Sequence, residues 1–289
     1  MKALRYTALG DSLTEGIGDC VDGAWRGWAA LLAGGLAPGG QPVEFHNFAS
    51  SGAQTGDVLT RQLPAALALA PDLASVIVGV NDTLRRTFDV HAVAARLDAV
   101  YGAFGARGTT VLTACLPDPG ALLGLPGALA RPLARRQDAV NSVVHALSER
   151  HGALHLHACD AEWVADRALW SADRLHPGER GHRLFAARAH TVLAAAGVAS
   201  GPAPDLVPER PAPSRAAGLW WLATAGTGWV ARRCTDLLPN LLALAADEVR
   251  HGVRGTGARL DVRASAGVAS ALSSLTVRAG PEPPRMQAG

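Results

Sequence analysis

Ala8-Leu9-Gly10-Asp11-Ser12-Leu13-Thr14-Glu15-Gly16 decides how this chain is read. Just upstream, Leu4, Tyr6 and Ala8 are spaced two apart. That is the alternation of a β-strand, which runs to about Leu9. The strand ends in Gly-Asp-Ser, so a hydroxyl sits on the turn at its carboxyl edge. In an open α/β sheet, ligands bind outside that edge. A serine placed there becomes a nucleophile only with a base to take its proton and donors for the oxyanion it creates. Both have to come from elsewhere in the chain.

With 289 residues, 48% apolar and 18% charged, the chain can bury one sizeable core with room for an appendage. Disorder of the whole is excluded by that apolar content. A net charge of +2 and the lack of any Lys/Arg-rich run exclude a nucleic-acid footprint. Cys20, Cys115, Cys159 and Cys234 lie far apart without CxxC spacing, which suggests free thiols in a reducing compartment. No charged segment followed by a long apolar stretch precedes the first strand, so a cytoplasmic protein is expected.

Further along, Asp22 is expected to cap a helix over residues 24–33, ended by Gly34, Gly35 and Pro38. A strand over 43–49 leads into Ser50-Ser51-Gly52-Ala53-Gln54. Thr55 then caps a helix to about residue 70, with a kink at Pro64. Residues 73–80 are a nearly unbroken apolar run, as in a central parallel strand covered on both faces. It ends in Gly79-Val80-Asn81-Asp82. A helix over 89–106, a strand over 109–114, a helix over 128–150, a strand over 153–158 and a helix over 179–196 follow. Between them, the Gly/Pro/Leu loop 117–126 is placed to wall a pocket. The loop before the last helix carries Trp163, Trp170, Asp173 and His176.

Five strands alternating with helices predict a doubly wound parallel sheet. Right-handed crossovers then gather Ser12, Gly52, Asn81 and the Asp173/His176 loop at one sheet edge. Residues 1–200 form this domain. Residues 201–215 are Pro-rich and read as a linker, 216–250 as a helical extension, and 251–289 as a disordered tail.

Asp173 and His176 stand three apart in Asp173-Arg174-Leu175-His176-Pro177-Gly178, on a turn before a helix. The carboxylate can accept from one imidazole nitrogen while the other faces outward. That supplies orienter and base for Ser12. The oxyanion donors are the peptide N–H of Ser12, the peptide N–H of Gly52 and the side-chain amide of Asn81. No Gly-x-Ser-x-Gly elbow occurs, which disfavours an ordinary α/β-hydrolase arrangement.

Gly10-Asp11-Ser12-Leu13, Gly52 after the second strand, Gly79-Val80-Asn81-Asp82 and Asp173-Arg174-Leu175-His176, in that order, closely resemble the SGNH/GDSL hydrolases. The resemblance implies a flavodoxin-like α/β/α sandwich on a five-stranded parallel sheet. It implies Ser12 as nucleophile, His176 as base, Asp173 as its partner, and Ser12, Gly52 and Asn81 as the oxyanion hole. The activity implied is hydrolysis of carboxylic esters through an acyl-enzyme, as an esterase, lipase or O-deacetylase. Acyl transfer by the same triad is the alternative. Intact Ser12, Asn81, Asp173 and His176 disfavour a catalytically silent binding module. Trp25-Arg26-Gly27-Trp28-Ala29 further resembles an intracellular actinobacterial branch. Nothing from Gly201 onward carries a family motif.

Asp11, Leu13, Trp163 and Trp170 are assigned to substrate binding. Asp11 and Asp82 also suit a structural role, holding loops by hydrogen bonds. His182 reads as a packing or surface residue. His155, His157 and Cys159 alternate along one strand face, a spacing that permits metal ligation. A structural role at the rim is preferred, and no metal or cofactor is expected. The partner is a small-molecule or lipid ester. The apolar stretch 216–230, with Trp220, Trp221 and Trp229, is shorter than the ~20 residues that span a bilayer. Packing on the domain or at a homodimer interface is preferred there over peripheral membrane contact, because Pro239 breaks the helix and a cationic face is largely missing.

Overall fold

Five parallel strands carry the architecture: β1 (Leu4–Gly10), β2 (Val43–Asn47), β3 (Leu73–Ile77), β4 (Thr110–Cys115) and β5 (Leu154–His157). The computed structural model describes residues 3–39, 41–210 and 238–278. The strands lie in the order β2-β1-β3-β4-β5, the flavodoxin-like arrangement of a doubly wound sheet. Every residue of β3 is buried, as its unbroken apolar run requires in mid-sheet. Helices α1 (Gly27–Ala33) and α4 (Glu179–Ala195) cover one face, where Trp28 and Phe185 pack on Tyr6, Leu73 and Leu112. Helices α2 (Val90–Gly105) and α3 (Gly127–Arg150) cover the other, burying Leu97, Phe104, Val143 and Leu147 against Leu9 and Val76. The result is the α/β/α sandwich.

The strand order reverses between β1 and β3, which opens a crevice at their carboxyl ends. Gly10 closes β1 there with φ +153°. A Cβ on it would collide with the Ile77 carbonyl, so only glycine lets β1 end this close to β3. Gln62, buried, completes the strand end. Its Oε1 accepts from Gly10 N–H at 2.8 Å, and its Nε2 donates to Gly10 O at 2.9 Å. Gln62 ends a π-helical stretch (Val58–Gln62) set between the turns Thr55–Asp57 and Leu63–Ala68. Pro64, which has no N–H to give, stands two residues on, so the expected kink takes the form of a π bulge.

Three expectations need correction. Asp22 does not cap a helix. Residues 20–21 pair with 24–25 across Asp22 (φ 50°) and Gly23 (φ 83°), the two-residue turn that Asp-Gly favours. The helix begins only at Gly27. Residues 201–210 are not a free linker: Arg183 donates to Asp205 O, and Glu209 binds both Arg26 and Arg183. The third concerns the tail expected to be disordered over 251–289. Helix α5 (Leu238–Val253) falls mostly in the stretch expected to be helical, but α6 (Ala258–Arg278) occupies the tail and with α5 makes a helix–turn–helix hairpin. Leu260, Ala264, Val268, Ala271 and Leu275 recur at helical spacing on α6, and Ala271 and Leu275 are buried in the α2/α3 core. Periodicity outweighs a Gly/Ala/Ser composition here. Residues 211–237, with Trp220, Trp221 and Trp229, and residues 279–289 lie outside the described residues.

On α5 the stripe Leu241, Leu244, Ala245 and Glu248 faces the body. Arg135 of α3 joins Glu248 at 2.8 Å and also reaches Asp261 of α6, so one guanidinium ties both hairpin helices to the sandwich.

Candidate active site

Ser12 opens a single helical turn, Ser12–Glu15, directly after β1. Its Oγ lies 2.7 Å from His176 Nε2, across 164 residues of sequence. The other ring nitrogen, Nδ1, lies 2.6 Å from Asp173 Oδ2. Asp173 is itself fixed: its Oδ1 accepts from Ser171 Oγ at 2.7 Å, Leu175 N–H at 2.9 Å and His176 N–H at 3.0 Å. The loop is closed at its base by Ser171 N–H on His176 O and Gly178 N–H on Leu169 O, both 2.8 Å. Burial pushes the Asp173 carboxyl up, but the hydrogen bond and charge of His176, with the N–H and hydroxyl donors, outweigh it and hold the pKa at about 2. An ionised Asp173 accepts from Nδ1–H, which leaves Nε2 as acceptor for the Ser12 hydroxyl.

Gly52 and Asn81, read from the sequence as oxyanion donors together with Ser12, are tied to each other and to the Ser12 turn through their neighbours. Gly52 has φ +80°. Its neighbour Ser51 donates through Oγ to Glu15 at 2.6 Å, and its other neighbour, Ala53, accepts at its carbonyl from Asn81 Nδ2 at 3.1 Å. Gly52 is thereby strapped between the Ser12 turn and Asn81. Gly79, at φ +131°, lets the chain turn from β3 into Asn81; a Cβ there would come within 2.6 Å of Val140. The peptide N–H groups of Ser12 and Gly52 have no acceptor among the described residues. Asn81 also donates to Asp11 Oδ2, at a longer 3.3 Å.

Asp82 plays the structural part expected of it. It accepts Thr55 Oγ1 at 2.7 Å and Thr55 N–H at 3.0 Å, pinning the 50–57 segment to the end of β3. Burial pushes its carboxyl up, partly offset by those two bonds. Asp11 caps the Ser12 turn through Leu13 N–H at 3.1 Å. Burial pushes Asp11 up to about 6 against the pull of Leu13 N–H and His176. Its oxygens are engaged by Leu13 and Asn81, so Asp11 positions its neighbours, and it also lines the cavity beside Ser12. His182 is fully buried, not on the surface. Its Nδ1 accepts from Trp28 N–H at 3.1 Å, and its Nε2 donates to Ile17 O at 3.0 Å. Burial pushes its pKa down to about 4.

A cavity of about 120 Å³ opens on Ser12, Asn81 and His176. Leu13, Trp163 and Trp170 line it, as does the 117–126 loop through Pro117, Pro119, Leu122, Leu123 and Leu125. Trp163 and Trp170 are buried and packed edge to face, 5.7 Å apart. Gly52 is not part of the wall. Neither is Trp25, which is exposed, nor Trp28, which is core. Sequence reasoning missed Leu84, Leu133, Phe185 and above all Leu241, which the C-terminal hairpin contributes. Only knowing which helix faces point inward identifies them. An apolar cavity ending in a serine, an imidazole and several N–H donors suits attack on an acyl carbonyl with its chain buried.

A family model of GDSL-like lipases and acylhydrolases matches residues 8–184. The chain belongs to that family and is a carboxylic ester hydrolase. No curated protein sequence matches it. Among solved structures it is similar to TesA (25% identity, TM-score 0.54), over 65% of this chain and 97% of that one. It is similar also to Axe2, an acetylxylan esterase from Geobacillus stearothermophilus (21%, 0.54), over 72% and 97%. A third is the lipase/acylhydrolase from Enterococcus faecalis (22%, 0.54), over 69% and 98%. These structures are matched nearly whole, and about a third of this chain has no counterpart in them. Among the described residues no helix is long and apolar enough to cross a membrane.

Proposed function

We propose that this esterase hydrolyses esters with an apolar acyl chain through an acyl-enzyme on Ser12. His176 takes the Ser12 proton as Oγ attacks the carbonyl, and Asp173 stabilises the imidazolium that forms. The oxyanion is received by the N–H groups of Ser12 and Gly52 and by Asn81, which gives up its longer bond to Asp11. His176 then protonates the leaving alcohol and activates the water that releases the acid. The observation that carries this reading is the Ser12–His176–Asp173 chain of 2.7 and 2.6 Å bonds opening into an apolar cavity.

Substrate class follows from the cavity wall. Each methylene buried there is worth about 0.8 kcal/mol, roughly fourfold in kcat/KM when the transition state keeps it buried. Turnover of p-nitrophenyl esters should therefore rise from acetyl towards medium chains, then stop rising once the chain meets the far wall. Ser12→Ala should lower kcat/KM on the best ester by roughly 10⁴-fold or more. Unchanged turnover in Ser12→Ala would end the proposal. A steady fall from acetyl onward would overturn the apolar-chain part alone.

A further inference from the structure

On the α3 face of the sheet, a second set of reactive side chains converges that the ester chemistry does not use. Strand register sets Thr113 beside His155 and Cys115 beside His157 on the paired strands β4 and β5. His145 of α3 closes over them, its ring centroid 5.2 Å from His155 and 5.6 Å from His157. One ligand atom from each of Cys115, His155 and His157 falls within 4.8 Å of the others. Cys115 Sγ stands 3.8 Å from His157 Nδ1 and 3.0 Å from Cys159 Sγ. Ligand atoms of a tetrahedral zinc site with Zn–S near 2.3 Å and Zn–N near 2.0 Å lie about 3.3–3.8 Å apart.

We propose that Cys115, His155 and His157 bind a divalent transition metal of the zinc class, with Cys159 as the fourth ligand. His155 is held in the manner of a metal ligand. Its Nδ1 is 2.9 Å from Thr113 Oγ1, and its Nε2 is buried with no hydrogen-bond partner. A ligating histidine commonly donates from one nitrogen to an oriented acceptor and offers the other to the ion. No carboxylate takes part, and the thiolate and imidazole donors favour zinc over magnesium or calcium. Cys159 and His157 are exposed, so the ion has a path in from the edge of β5. Binding displaces one proton from each thiol to solvent, and the two sulfurs turn slightly apart. The ion would clamp β4, β5 and the segment after each. Cys115 leads directly into Leu116, a cavity residue whose N–H and C=O both pair with Asn141 of α3.

The test uses the full chain, reduced and freed of metal by chelation, then titrated with Co²⁺ as a spectroscopic probe and with Zn²⁺ in competition. One Co²⁺ should bind per chain with a thiolate charge-transfer band and the strong visible absorption of tetrahedral cobalt. Zinc should displace it, raise Tm and slow modification of Cys159 by a thiol reagent. His157→Ala, at an exposed position, should weaken binding at least tenfold, and Cys115→Ser should cut the charge-transfer band by half or more. Esterase turnover of both variants checks that they are folded. Absence of the band in the reduced wild-type protein would overturn the proposal. So would cobalt binding that His157→Ala and Cys115→Ser leave unchanged, or a Cys115–Cys159 disulfide with no metal uptake in protein prepared without air.

Discussion

The sandwich and the C-terminal hairpin are built to different standards. In the sandwich, a sheet with a fully buried central strand is packed on both faces, and Gly10 and Gly79 allow approaches that no other residue would permit. The hairpin rests on one narrow stripe per helix and on ion pairs around Arg135, with Leu242, Val249, Val253 and Val262 left exposed. The partner Asp261 is 65% exposed, and such a pair is worth about 1 kcal/mol at most. Rigid packing holds Ser12, His176 and Asp173 to within a hydrogen bond of one another, as the chemistry demands. A weakly held hairpin suffices to close one wall of the acyl cavity with Leu241. In this reading, the reaction belongs to the sandwich, and acyl-chain preference is shared with the appendage.

The largest effect is expected at His182, deep in the sandwich. Its folded pKa, pushed down to about 4, lies below the unfolded value near 6.5. The stability it contributes is therefore complete above about pH 6.5 and is lost as pH falls towards 4. The loss is about 3 kcal/mol at its full extent. Thermal melts at pH 7 and pH 4.5 should show a marked drop in Tm, and His182→Gln should flatten that dependence while melting lower at pH 7. An equal acid response in His182→Gln would move the sensitivity elsewhere. A smaller effect is expected at the hairpin. Leu241→Trp puts bulk into the cavity wall, so the ratio of kcat/KM for the octanoyl ester to that for the acetyl ester should fall about tenfold, some 1.4 kcal/mol. A ratio equal to that of the wild type would detach the hairpin from the cavity.

The sequence was most legible where a single residue type answers a single physical demand. Strand alternation, the apolar run of β3 and the residues at the strand ends point to one edge for Ser12, Gly52, Asn81, Asp173 and His176. Asp-Gly at 22–23 carries the signal of a hairpin turn as well as that of a helix cap, and the turn prevails. Helix α5 falls mostly in a stretch that reads as helical, whereas the Gly/Ala/Ser composition of α6 hides the spacing of Ala271 and Leu275. Leu241 was not legible at all: its place in the wall depends on how α5 docks against α3, which no local pattern encodes. The same holds for Cys115 beside His157, neighbours only through strand register.

The central claim is that Ser12, activated by His176, carries the acyl group, and a covalent trap tests it directly. The protein is treated with an alkyl fluorophosphonate, digested, and its peptides weighed by mass spectrometry. One adduct on the peptide containing Ser12, formed together with loss of esterase activity and much more slowly in His176→Ala, is the predicted result. Full loss of activity with the adduct on another residue, or labelling of Ser12 at the same rate in His176→Ala, would contradict the account.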